Sequence, residues 1–194
     1  MHIKIEKLCK SYGDKIVLNN YSNEIEYGKC TVIMGASGCG KTTLLSVLLG
    51  LTKPDSGTVT GLPECVSAVF QENRLCEEFS AYENVALVLS NGIAKNKVKT
   101  EKIEAAFDAV GMKEFMDTPV SDLSGGQKRR VAILRALIYD ADLYILDEPF
   151  SGLDEDSKKT VMDYVKKITN KKTVLIVTHD NDEAKYMADK IYEM

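Results

Sequence analysis

The stretch "CTVIMGASGCGKTTLLSVLLG", Cys30–Gly50, decides the fold. Its first five residues read as a strand and "TLLSVLLG" as a buried helix. Between them "GASGCGKTT", Gly35–Thr43, fits G-x-x-x-x-G-K-[ST] in the strand–loop–helix setting that gives this spacing its meaning. The glycines let backbone N–H groups turn inward around phosphate oxygens, and the helix start adds positive potential. Gly35, Ser37, Gly38, Cys39, Gly40, Lys41, Thr42 and Thr43 thus form a candidate triphosphate cradle. Lys41 is expected to reach the β- and γ-phosphates, and the Thr42 hydroxyl to ligate Mg²⁺.

A second stretch completes that chemistry. "LYILDE" is an apolar strand that carries Asp147 to its C-terminal end, where ligands sit in open α/β sheets. Asp147 is expected to hold Mg²⁺ and Glu148 to orient and polarise an attacking water. Upstream, "LSGGQKRRVAILRALIYDA" runs a Ser-Gly-Gly turn into a basic helix.

Strand-length apolar stretches fall at 2–8, 15–25, 30–34, 66–70, 142–146 and 173–178, and helical periodicity at 41–50, 96–110, 126–139, 154–169 and 181–189. The late strands "LYILD" and "TVLIVTH" are nearly continuous apolar runs, as in a parallel sheet covered on both faces. The early strands alternate, as in a half-exposed antiparallel sheet. Between Leu75 and Leu137 only helices are expected. The predicted fold is α/β: a phosphate-loop core with a mostly parallel sheet, an N-terminal antiparallel patch and an inserted helical subdomain at roughly 75–137, in one domain spanning 1–194. Asp154 is a plausible helix N-cap, with Lys166 and Lys167 near that helix's far end. The lysine-rich "KNKVKTEK" at 95–102 reads as a solvated helix face.

Totals narrow the function classes. The 194 residues are 44% hydrophobic and 28% charged, which suits a globular domain. A net charge of -4 gives no electrostatic case for nucleic-acid binding. No apolar run approaches the roughly 18 residues of a membrane span. Five cysteines without a CxxC pair suggest neither a disulfide framework nor a zinc site.

Taken together, these motifs resemble the nucleotide-binding subunit of an ATP-binding-cassette (ABC) transporter, in motif order and over essentially the whole chain. "LSGGQ" at Leu123–Gln127 matches that family's signature letter for letter. The resemblance implies further roles at matching positions. Tyr12 in "CKSYG" corresponds to the adenine-stacking aromatic. Gln71 in "VFQENRL" corresponds to the glutamine loop, which approaches Mg²⁺ and the water and touches a membrane partner. Ser151 and Asp154 in "SGLD" correspond to the loop that crosses a dimer interface, and His179 in "TVLIVTHD" to the switch histidine at the γ-phosphate. Ser124, Gly125, Gly126 and Gln127 are expected to contact the ATP of an opposite subunit.

The implied activity is ATP hydrolysis with Mg²⁺, in a head-to-tail dimer that drives a separate integral membrane permease. The chain would then be cytoplasmic and peripheral on the inner face of the cell membrane. "VFQENRL" followed by "YENVAL" is similar to bacterial importer subunits for nitrate, sulfonate or taurine-like solutes. The hairpin expected after "SGTV" looks trimmed, and the chain stops soon after "KIYEM", with no regulatory domain expected beyond it. A non-transport cassette acting on nucleic acid or ribosomes is the rival reading. It lacks the long coiled-coil insertion or second cassette such relatives carry, so no nucleic acid is expected as partner.

Overall fold

The structure is a computed structural model, and it describes residues 2–89 and 97–194. The chain divides into two compact units, Met1–Val66 with Asp142–Glu148 and Lys171–Met194, and Ser67–Ala141 with Pro149–Asn170.

The first unit holds two sheets. Strands β1 (His2–Tyr12) and β2 (Lys15–Glu26) form an antiparallel hairpin whose turn closes between Tyr12 and Lys15. On the other edge of β1 lies β4 (Ser56–Thr60), giving the order β2-β1-β4. Alternation buries Ile3 and Ile5, and strict alternation would next turn Lys7 inward. Instead the register shifts between Ile5 and Leu8, Lys7 takes φ 50°, and Leu8 is fully buried. Gly57 makes this bulge possible: a Cβ there would lie 2.6 Å from the Glu6 carbonyl oxygen.

The second sheet is parallel. Within this unit its strands run β6 (Leu143–Asp147), β7 (Thr173–Thr178), β3 (Cys30–Met34) and β8 (Lys190–Glu193). Every residue of β6 and β7 is buried, which explains their unbroken apolar sequences. The helices α1 (Lys41–Leu48) and α6 (Asn181–Met187) follow β3 and β7. The α/β class, the parallel core and the antiparallel patch are therefore as expected.

In the second unit, β5 (Val66–Val69) leads into four helices: α2 (Ala81–Ala86), α3 (Lys97–Ala109), α4 (Gly125–Ile138) and α5 (Glu155–Ile168). Their shared core includes Val85, Ile103, Phe107, Val131, Leu134 and Val165. Between Leu75 and Leu137 the described residues hold helices, short 3-10 turns and one isolated bridge, Ser80 with Pro119. Buried Asn84 ties the approach to α2, accepting from the Cys76 N–H and donating to the Cys76 and Ser80 carbonyls. Asp154 caps α5 by accepting from the Ser157 N–H at 2.9 Å. Of the lysine-rich 95–102 segment, Lys95 and Asn96 lie outside the described residues. Lys102 is exposed and donates to the Ile138 carbonyl at the end of α4.

Candidate nucleotide-binding site

Sheet register assembles the site in the first unit. Because β6, β7 and β3 are parallel neighbours, their C-terminal ends share one edge. Asp147 lies opposite Val177, and Met34 opposite Thr178. Gly35, Glu148 and His179 are the next residues on those three strands, so they come together although far apart in sequence.

The loop after β3 is shaped by its glycines. Gly40 takes φ 113°, and a Cβ on it would sit 2.8 Å from the Val17 carbonyl oxygen. The Lys41 ammonium donates to the Gly35 and Ala36 carbonyls at 2.7 and 2.9 Å. Lys41 is only 7% exposed, so its charge is held over the loop and away from bulk water. These carbonyls are neutral acceptors, and a phosphate oxygen would form a stronger charge-assisted bond with the same ammonium.

One helical position on, the Thr42 hydroxyl meets Oδ2 of Asp147 at 3.1 Å. Two hard oxygen donors from separate segments thus converge beside the phosphate loop. That donor set fits Mg²⁺, which favours a carboxylate and a hydroxyl together with substrate phosphates.

Glu148 leaves the strand at φ 47°, a region costly for a residue with a side chain. Its N–H donates to the Val177 carbonyl at 2.8 Å, which holds the turn. The carboxylate, 16% exposed, places both oxygens 2.9 Å from Nδ1 of His179. Hydrogen bonding to Glu148, then its charge, raises the His179 pKa above the ordinary imidazole value. The turn carrying His179 is itself fixed. Thr178 donates to the buried Glu183 carboxylate at 2.7 Å and accepts from the Asp180 N–H, while Asp180 caps α6.

This pair has a testable pH dependence. The raised pKa stabilises the fold fully below the ordinary imidazole pKa, and that contribution fades as pH rises through the raised value. The His179 side chain is 70% exposed, so the contribution is small. In an NMR titration the His179 imidazole is expected to titrate above the ordinary value and to move back toward it in Glu148→Gln. A titration unchanged by that substitution would dissolve the pair.

Tyr12 lies at the β1–β2 turn with half its surface exposed. The Lys10 ammonium sits 5.5 Å from its ring centre and is paired with Asp55 at 2.8 Å. The Ser11 N–H also donates to Asp55, at 2.6 Å. An open ring with a fixed backbone is a ready stacking platform for a base.

The remaining expected residues belong to the second unit. Ser124 caps α4 in a reciprocal box: its Oγ accepts from the Gln127 N–H, and its N–H donates to the Gln127 side chain at 2.8 Å. Ser124 and Gly125 are exposed at the positive end of the helix dipole. A Cβ on Gly126 would lie 3.2 Å from the Gly152 carbonyl, so the Ser-Gly-Gly turn and the Ser151–Asp154 loop lie against each other. Gln71 is exposed at the end of β5. The sequence reading did not identify Asp55, Asp180, Glu183 or Arg129. Only Asp180 carried a local signal, as an Asp just before a helical run.

Set beside known proteins, residues 18–151 match the ABC transporter family, and the chain belongs to it. It is 36% identical to the spermidine/putrescine import ATP-binding protein PotA of Legionella pneumophila (strain Paris), covering 97% of this chain and 55% of that protein. It is 39% identical to the aliphatic sulfonates import ATP-binding protein SsuB 2 of Paraburkholderia xenovorans (strain LB400), covering 99% and 76%. The chain therefore spans little more than half the length of PotA. Among solved structures it superposes on dimeric MJ0796, a bacterial ABC transporter cassette, with TM-score 0.87 and 30% identity, covering 99% of this chain and 94% of that one. A post-hydrolysis dimer of the same cassette, bound to ADP and Pi, matches equally well. No helix among the described residues is long and apolar enough to cross a membrane.

Proposed function

We propose that the chain is the ATP-hydrolysing motor subunit of an ABC importer. Two copies, or this copy and a related subunit, close head-to-tail around two ATP molecules and drive a separate integral membrane permease. Residues 1–194 act as one cassette domain, with the helical subdomain at roughly 75–137, held at the inner face of the cell membrane by the permease. The observation that carries this reading is the exposed helix start at Ser124, which offers a hydroxyl, N–H groups and a dipole end to a phosphate. That its relatives import cargoes as different as polyamines and sulfonates supports a motor whose solute site lies on other chains.

In this reading Tyr12 stacks on adenine, and Gly35, Ser37–Gly40 and Thr43 line the triphosphate with Lys41. Thr42, Asp147 and Gln71 hold Mg²⁺, which when bound neutralises charge on the phosphate oxygens. Glu148 accepts the proton of a water whose oxygen attacks the γ-phosphorus. The bond from that phosphorus to the bridging oxygen breaks, and its electron pair leaves with ADP. His179 orients the Glu148 carboxylate through Nδ1 and faces the γ-phosphate. Ser124, Gly125, Gly126 and Gln127 complete the site of the opposite subunit, and Ser151 and Asp154 line the contact between subunits. Loss of the shared γ-phosphate loosens the closed state, which moves the permease.

Two measurements test the reading together. The tagged chain is expected to release phosphate from Mg-ATP and to bring down a polytopic membrane protein from detergent-solubilised membranes. Hydrolysis stimulated by nucleic acid or ribosomes, with no membrane protein recovered, would favour the rival instead.

A further inference from the structure

We propose that Arg129 is the positioning residue of the Gln71 loop. It ties that loop, and the carbonyl of the residue after Glu148, to the helix that begins at Ser124. The inference rests on the roles proposed for Gln71 and Glu148. Arg129 lies one turn into α4 and is 4% exposed. Its Nε donates to the Pro149 carbonyl at 2.9 Å. Its Nη1 donates to the Phe70 carbonyl and reaches the Gln71 carbonyl at 3.3 Å and Oδ1 of Asn73 at 3.2 Å. Farther along the same helix, Arg135 donates to the Asn73 and Arg74 carbonyls at 3.0 and 2.8 Å. The backbone from Phe70 to Arg74 is thus bonded to one helix at four residues. Arg74 folds its own guanidinium over the Phe70 ring at 3.8 Å.

The chemistry requires arginine. Burying a charge is costly unless hydrogen bonds surround it, so a side chain needed only for packing would be apolar. A guanidinium presents N–H groups in a rigid planar fork and bridges acceptors from separate segments, which the compact ammonium of lysine does not reproduce. Here one arm of the fork holds the residue after Glu148 and the other holds the Gln71 loop. A partner that shifts Gln71 therefore shifts α4, and with it Ser124, instead of bending a slack loop.

A double-mutant cycle on the full chain tests this. Arg129→Gln is expected to lower kcat for ATP about 10-fold while KM changes less than about twofold, as for loss of positioning without loss of substrate binding. Arg129→Lys is expected not to rescue it. Arg129→Gln combined with Gln71→Ala should fall no further than Gln71→Ala alone, because both act through one loop. Hydrogen exchange at Glu72–Cys76 should quicken at least about 10-fold in Arg129→Gln, with β6 and β7 unchanged. Additive losses, rescue by lysine, or loop exchange at the wild-type rate would overturn the proposal. If Arg129→Gln does not fold, Asn73→Ala removes one acceptor and takes its place in the cycle and the exchange. Absence of ATP hydrolysis in the wild type would count against the motor reading, and the exchange rates would still decide whether Arg129 holds the loop.

Discussion

Glu148→Gln is expected to keep ATP bound while turnover falls at least about 100-fold, the scale of losing a general base. The amide still fits the site and still accepts a hydrogen bond, but it cannot take the proton of the attacking water. A 100-fold loss corresponds to about 2.7 kcal/mol of transition-state stabilisation. The backbone at Glu148 supports the choice of this carboxylate. A residue held at φ 47° and pinned by its N–H to Val177 is maintained at a cost, and its neighbour Asp147 is already engaged with Thr42. With ATP retained, the variant should also accumulate as a closed dimer, visible by sedimentation with Mg-ATP. Near-normal phosphate release by Glu148→Gln would remove the residue from the role of base.

Lys41→Ala is expected to abolish tight nucleotide binding. The ammonium is the one charged side chain in the glycine loop, and it is held there almost out of water by the Gly35 and Ala36 carbonyls. Truncation removes the loop's positive charge and with it the charge-assisted bond to the phosphate oxygens. A hydrogen bond to a charged group is worth about 1.5–3 kcal/mol, which alone weakens binding by roughly 10- to 150-fold. Calorimetric titration with ATP reads the effect directly, with a thermal unfolding scan as the control for folding. Unchanged affinity would contradict the phosphate-cradle reading.

How much of this the sequence disclosed depends on how local each signal is. The phosphate loop is legible because its glycines, lysine and threonine must stand in one short order. The parallel core is legible because strands buried on both faces leave continuous apolar runs, as β6 and β7 do. Strand β1 is harder to read. Its bulge at Lys7 throws the alternation out of phase, so the strand extends to Tyr12 although the regular pattern ends at Leu8. Helix α2 has six residues, too few for periodicity to show, although Ser80 and Glu83 form a capping box that marks its start. Arg129 was illegible because "KRR" on a helix looks like a solvated basic face. Its acceptors lie in segments that only the fold brings together. Asp55 and Glu183 are hidden for the same reason, since each acts by fixing a neighbour's backbone or hydroxyl.

The account turns on whether one copy can hydrolyse ATP unaided. Specific ATPase activity, measured over a dilution series that crosses the association midpoint found by sedimentation, tests this most directly. Well below that midpoint the account predicts that total activity rises with the square of protein concentration. Activity per molecule then rises in proportion to concentration, levels off where dimer dominates, collapses where only monomer remains, and is lost in Ser124→Arg at every concentration. Full activity per molecule at dilutions where no dimer is detected would contradict it.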